Sequence, residues 1–251
     1  MNEEESKLGQ IIKPEYLRLT CESTVMPSTV RWRTCAHAGE TTCLTFNKDG
    51  SILYTGGGDG IIKSWDTASG RHKQTFQLNK TVLDVTASLD DEYIAASAND
   101  SNRMHLFRAS TTTRFESYSG HTNHINNVRF NYSRKGLVST SLDNTIRLWS
   151  VSTTQHTTTK CPAAINNVDL TWSETLLATT HMKDMRFWDI SSGTAQLVHT
   201  LPNAHNDEVT SARYTSDERY LVSTGQDNLV KVWDVRTFRQ VIEPAFSDEL
   251  L

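Results

Sequence analysis

Three tryptophans, each followed by Asp or Ser, stand at equal intervals along the chain at Trp65, Trp149 and Trp233, and this spacing constrains the fold more than any single motif. The same interval separates His37, His121 and His205, and again Asp59, Asp143 and Asp227. Phe107, closing the strand-like run RMHLF, falls exactly midway between the first two tryptophans, so the interval divides into two units. A fourth Trp-Asp pair, Trp188-Asp189, falls slightly short of the midpoint between Trp149 and Trp233. Self-similarity at such a period marks a repeat architecture, in which each unit buries its apolar faces only against its neighbours. Five units are expected, at about 36–78, 79–119, 120–160, 161–203 and 204–243, within a repeat domain over 28–251.

Each unit has one internal order. A loop carrying His leads into an alternating run, a DG-type turn, a second run, an Asp turn, a third run ending in Trp, and a fourth polar–apolar run. Thr is unusually abundant, and with Val, Ile and aromatics it fills short runs such as TTCLTF, HINNVRF and EVTSARY. β-branched and aromatic residues suit a pleated, half-buried surface, and KDGS and GGGDG supply turns between runs. Four short strands per unit of about 42 residues describe a propeller blade, which closes radially and hides strand edges. The expectation is an all-β propeller with five recognisable four-stranded blades.

Composition agrees with a soluble protein. With 25 Lys and Arg against 29 Asp and Glu, the net charge is −4, and 37% of the residues are apolar. That is too apolar for disorder. Mean hydropathy is −0.49 and no run of 18 apolar residues occurs, so no direct membrane insertion is expected. The absence of Lys/Arg clusters removes the electrostatic footprint that nucleic-acid binding needs. Cys21, Cys35, Cys43 and Cys161 have no metal-ligand spacing, and MNEEESK is not a secretory leader, so reduced thiols in the cytoplasm or nucleus are expected.

The quoted patterns resemble the WD-repeat family: AH at 36–37 with SWD at 64–66, GH at 120–121 with LWS at 148–150, and AH at 204–205 with VWD at 232–234. More narrowly, the stretches YIAASANDSNRMHLF, GHTNHINNVRF, THMKDMRFWDISSG and LVSTGQDNLVKVWDVRT are similar, blade by blade, to propellers of the autophagy-related protein 16 family. The resemblance implies a seven-blade propeller, here incomplete or divergent, that acts as a non-enzymatic scaffold. Its implied role is in autophagosome assembly, where protein contacts recruit the lipid-conjugation machinery. A scaffold of another complex, such as a ubiquitin ligase or G-protein-like assembly, is the alternative. No cofactor is implied.

Ser, His and Asp recur together as Thr55/His37/Asp59, Ser139/His121/Asp143 and Ser223/His205/Asp227, with Trp65, Trp149 and Trp233 at one fixed offset beyond each Asp. These residue types fit a nucleophilic triad. A catalytic site has no reason to recur in register with a fold repeat, whereas a buried hydrogen-bond network does, and the resemblance implies such a structural tetrad. The even units break the pattern. The second offers Ser97, Ser101 and Phe107, with Asp100 adjacent; the fourth keeps Trp188, but the same offsets give Ala178 and Met182. Fewer hydrogen bonds are therefore expected there. TGGGDG at 55–60 lacks the GK[ST] ending of a phosphate loop, His121 and His124 lack further metal ligands, and no Arg-Arg pair marks a lipid-headgroup site.

The resemblance implies that partners dock on the loops leading into the innermost strands. Matching positions places Glu40, Thr81, His124, Ala164 and Glu208 there, joined by Gly58, Asp100, Leu142, His181 and Gln226 just ahead of the turn Asp. Acidic groups without Lys or Arg suit a basic or polar peptide, and His124 and His181 would make its binding sensitive to pH. At the ends, TVRWRTC at 29–35 reads as a donated outer strand, although RQVIE already completes the fifth unit. Either blades are missing after the fifth, or the propeller is open, or another subunit completes it, and an unpaired edge at the break is expected. Residues 1–27, including KPEYLRL, read as a flexible tail.

Overall fold

The computed structural model describes residues 32–99, 102–131 and 136–242. The fold is all-β. The first blade comprises β1 (Thr41–Phe46), β2 (Ile52–Gly57), β3 (Ile61–Asp66) and β4 (His72–Gln77). The second comprises β5 (Val82–Ala87), β6 (Tyr93–Ala98), β7 (Arg103–Arg108) and β8 (Arg114–Ser119). The third holds β9 (Ile125–Asn131), β10 (Gly136–Ser141), β11 (Thr145–Ser150) and β12 (His156–Lys160). The fourth holds β13 (Asn167–Leu170), β14 (Leu176–His181), β15 (Asp184–Asp189) and β16 (Gln196–Leu201). The fifth holds β17 (Val209–Tyr214), β18 (Tyr220–Gly225), β19 (Val230–Asp234) and β20 (Arg239–Ile242). Each blade is one antiparallel four-stranded sheet in chain order, the meander of a WD-type propeller.

The innermost strands pack in succession, β1 on β5, β5 on β9, β9 on β13 and β13 on β17. Apolar residues from facing sheets fill the spaces between blades. Tyr54, Ile62 and Phe76 of the first blade meet Val85, Ile94 and Phe107 of the second. Leu106 and Tyr118 meet Val128, Phe130 and Trp149, while Met185 and Phe187 meet Leu221 and Trp233. Each large side chain so buried contributes about 1.5–3 kcal/mol. A charged seam runs between the inner strands. Arg129 Nη1 lies 2.6 Å from Asp84 Oδ2, and Arg129 Nε lies 3.8 Å from Asp169 Oδ1. Arg213 Nη1 donates to Asn167 Oδ1 at 2.6 Å.

The outward face of the first blade is unlike its equivalents. Leu44 and Phe46 are 60% and 55% exposed, whereas Val128 and Phe130, in the equivalent places of the third blade, are 0% and 5% exposed. The difference is the neighbour: the second blade covers the third, and no blade among the described residues covers the first. The run at 29–35 forms no strand in its described part, 32–35, and the fifth blade uses its own β20 as outer strand.

Candidate functional site

Three identical relays tie the loops to the blades. In the first blade Trp65 Nε1 donates to Thr55 Oγ1 at 2.9 Å, and Thr55 meets His37 Nε2 at 2.9 Å. His37 Nδ1 meets Asp59 Oδ1 at 2.9 Å. In the third, Trp149 meets Ser139 at 2.8 Å, Ser139 meets His121 at 2.7 Å, and His121 meets Asp143 at 2.8 Å. In the fifth the corresponding contacts of Trp233, Ser223, His205 and Asp227 are 2.8, 2.7 and 2.8 Å. The carboxylate can only accept, so Nδ1–H donates to it, Nε2 accepts from the hydroxyl, and the hydroxyl accepts from the indole. Backbone N–H groups of Ala38, Thr122 and Asn206 also donate to the three carboxylates, which fixes the loop ahead of each inner strand.

Burial and polarity set the electrostatics. Burial alone would raise Asp59, Asp143 and Asp227, but donors outweigh it and hold all three below the ordinary carboxylate range. Burial lowers His121, against the pull of Asp143. Ser139 and Ser223 are 0% exposed and Thr55 is 5% exposed, so these hydroxyls present no surface to a substrate. Gly57 and Gly225 make room for the His–Asp pair: a Cβ at Gly225 would stand 2.6 Å from His205 Nδ1 and 2.7 Å from Asp227 Oδ1, and one at Gly57 would collide with His37.

The even blades diverge in two different ways. In the second, Phe107 replaces the indole, and the reading of Ser97 as the relay hydroxyl is corrected: the register puts Ala96 opposite His105 at that place, while the Ser97 hydroxyl, 0% exposed, has no hydrogen-bond partner among the described residues. Ser101 lies outside the described residues. In the fourth, the reading of Ala178 and Met182 as relay positions is corrected. The hairpin between β14 and β15 is one residue shorter, so the residue opposite Arg186 is Thr179. Trp188 Nε1 donates to Thr179 Oγ1 at 2.8 Å, Thr179 meets His181 Nε2 at 2.7 Å, and His181 Nδ1 lies 3.2 Å from the carbonyls of Ala163 and Ala164. A relay is rebuilt with a histidine from its own strand and backbone carbonyls in place of Asp.

This removes His181 from the exposed arc. It is 1% exposed, and burial, reinforced by Arg186, lowers its pKa to about 4. The other expected positions pair across the loops by backbone bonds: Gly58 N–H to Glu40 O at 2.8 Å, Leu142 N–H to His124 O at 3.0 Å, and Gln226 N–H to Glu208 O at 2.8 Å. In the second blade Thr81 O receives Asn99 N–H at 2.9 Å, so Asn99 occupies the place expected for Asp100, which lies outside the described residues. In the fourth, Ala164 keeps its place ahead of the inner strand, its carbonyl 3.2 Å from His181 Nδ1, and two residues on the Asn166 backbone N–H reaches Thr180 O at 2.9 Å. Asn166 Nδ2 then donates to Glu208 Oε1 at 2.6 Å, and Gln226 Nε2 to Oε2 at 3.3 Å. Glu40, Gly58, Leu142 and Gln226 are exposed, while Thr81, His124, Ala164 and Glu208 are half-buried. The arc thus presents two carboxylates, amides and backbone, with Lys183 beside it donating to Asn206 O at 2.6 Å.

Among the described residues no group of three or more His, Cys, Asp or Glu is placed to hold a metal, and no helix is long and apolar enough to cross a membrane. Sheet topology and relays together define a WD-repeat propeller. Residues 29–66, 112–150 and 195–234 match the WD domain, G-beta repeat family, and the chain is a member of that family. It is 32% identical over 219 residues to Protein tipD of Dictyostelium discoideum, covering 85% of this chain and 35% of that protein. It is 31% identical over 225 residues to Autophagy-related protein 16 of Arabidopsis thaliana, covering 86% and 42%. A shorter match, 33% over 103 residues, is to Target of rapamycin complex subunit LST8 of Saccharomyces cerevisiae, covering 40% and 34%. The chain spans less than half the length of each of these relatives.

Proposed function

We propose that this chain is a non-enzymatic interaction scaffold of autophagosome assembly. In this reading it works in the cytoplasm and reaches autophagic membranes through protein partners of the lipid-conjugation machinery. The likeness to Autophagy-related protein 16 across 86% of this chain carries the pathway. The arc carries the mechanism: Glu40 and Glu208 stand on loops fixed by the His37–Asp59 and His205–Asp227 relays. A rigid arc loses little conformational freedom on binding, and its carboxylates favour a basic or polar peptide. Rim charges of this kind act mainly on association rate and salt dependence.

The match to a Target of rapamycin complex subunit supports a second reading, a scaffold of another assembly. A pull-down from matching cytosol separates the two, comparing the intact chain with Glu40→Lys/Glu208→Lys after both are shown to melt alike. Retention of autophagy conjugation components by the unaltered chain, and their loss from the double variant, supports the first reading. Retention of a different complex instead overturns it.

A further inference from the structure

The five outer strands do not guard their edges equally. An exposed edge offers unpaired N–H and C=O groups, and natural sheets blunt it with bulges and charges. β4, β8, β16 and β20 each have a register shift where they pass the tryptophan position of the neighbouring strand, at Ser64/Trp65, Leu106/Phe107, Phe187/Trp188 and Val232/Trp233. β12 has none: it runs in continuous register against β11, from Thr145↔Lys160 to Trp149↔His156. Its run His156-Thr157-Thr158-Thr159 carries no Asp, Glu, Lys or Arg, and three of these four residues are exposed.

The backbone direction of this edge follows from its two ends. Ser150 N–H donates to Gln155 O at 2.9 Å, and Cys161 N–H donates to Asn144 O at 2.7 Å. Antiparallel pairing alternates, so residues 155, 157, 159 and 161 turn their backbone groups toward β11. The N–H and C=O of His156, Thr158 and Lys160 therefore point outward, away from the sheet. The strand is held in place from one side, where Thr157 Oγ1 donates to Gly193 O at 2.9 Å and Thr159 Oγ1 to Ala195 O at 3.1 Å. A cleft of about 300 Å³ opens beside its first residues, lined among others by Leu148, Trp149, His156 and Ile190. At the other end Lys160 is exposed and has no ion pair among the described residues.

We propose that the outer edge of β12 accepts an extended segment of a partner protein as a fifth strand of the third blade. The segment runs antiparallel, is rich in β-branched or apolar residues, places an acidic side chain opposite Lys160 and ends with an apolar side chain in the cleft. Backbone bonds supply affinity in this mode, and the charge and the cleft set direction and register. The surface lies on the blade circumference, apart from the inner-loop arc, and stands whether or not that arc binds a peptide.

The test uses the full chain and a fluorophore-labelled peptide, Asp-Val-Thr-Val-Leu, with its reversed sequence as control. Amide exchange is followed residue by residue. Expected is a slowing of about tenfold or more at His156, Thr158 and Lys160, with Thr157 and Thr159 unchanged and no gain at β4, β8, β16 or β20. Thr158→Pro removes one outward N–H and leaves the bonds to β11 intact, so it should fold and weaken peptide binding about tenfold. Thr153→Trp, overhanging the cleft, should weaken it several-fold. Should the proline variant fail to fold, the exchange pattern of the unaltered chain decides. Equal binding by Thr158→Pro, absence of binding at millimolar peptide, or protection spread over all outer strands overturns the proposal. So does a concentration-dependent dimer, seen by sedimentation, that protects the same three amides without peptide, because the occupant is then a second copy.

Discussion

Thr179 in the fourth blade and Ser139 in the third do the same work by different routes: each accepts a tryptophan indole N–H at 2.8 Å and hands its own proton to a histidine at 2.7 Å. For Ser139 that histidine, His121, comes from the loop before the inner strand, and for Thr179 it comes from the same strand, just beyond the hydroxyl. The shared element is the relay from indole to hydroxyl to imidazole. The source of the imidazole and its final acceptor are free to vary.

The relays predict opposite outcomes for two buried serines. Ser139→Ala strands both the Trp149 indole and His121 Nε2, and should cost about 2–3 kcal/mol. Ser97 is equally buried but has no hydrogen-bond partner among the described residues, so Ser97→Ala should be neutral or slightly stabilising. Urea denaturation of both variants checks this, and equal losses would refute the assignment.

Acid should weaken the fold before it touches the carboxylates. His181 is held neutral, its pKa lowered to about 4 from the ordinary value of 6.5. The unfolded chain therefore takes up a proton on this residue at higher pH than the native chain. The stability concerned is fully present above pH ~6.5 and is lost as the pH falls toward ~4, by about 3 kcal/mol at most. Asp59, Asp143 and Asp227 are lowered as carboxylates, so their contribution is lost only at still lower pH. His181→Gln should flatten the slope of melting temperature between pH ~6.5 and ~4 relative to the unaltered chain, with His121 and His156, both also lowered by burial, contributing to what remains. An unchanged slope would show that His181 does not titrate as described.

The uncovered first blade predicts position-dependent costs for one type of change. Phe130→Ser should cost about 3 kcal/mol or more, since it empties a site that is 5% exposed. Phe46→Ser, at a site 55% exposed, should stay within about 0.5 kcal/mol and improve solubility. Thermal melts of the two proteins give the comparison. Hydrogen exchange offers a second view, with the first and fifth blades less protected than the third.

The charged seam gives a coupling prediction. Arg129→Met leaves Asp84, whose side chain is 10% exposed, without its cation and should cost about 3 kcal/mol. Adding Asp84→Asn should recover part of that loss, a coupling readable in a double-mutant cycle. Strict additivity of the two changes would mean that the ion pair contributes nothing.

The repeat is legible because it is written in residues that a strand-turn-strand unit uses at fixed offsets: Trp65, Trp149 and Trp233, with their Asp and His partners, reveal the blade count and the odd relays. What is not legible comes from one missing residue. The shorter hairpin at Met182-Lys183 moves the hydroxyl from Ala178 to Thr179, and counting by a fixed interval cannot register this. The unequal spacings on either side of Trp188 are the signal that the fourth unit is cut differently. Asn99 displaces Asp100 for a similar reason, since register, not distance from Trp, decides which residue meets Thr81. The burial of His181 needs the fold, because exposure depends on what packs opposite.

The relay of the fourth blade grips backbone carbonyls at Ala163 and Ala164 instead of a side chain, and any amino acid has a carbonyl. In the other relays the loop must keep His37, His121 or His205, so those loops are pinned to one sequence. The loop from Pro162 to Asn166 carries no such obligation. It can exchange side chains at 163 and 164 while its path is held by His181, which makes it the segment of the arc where a new binding preference can be written with the least damage to the blade beneath it.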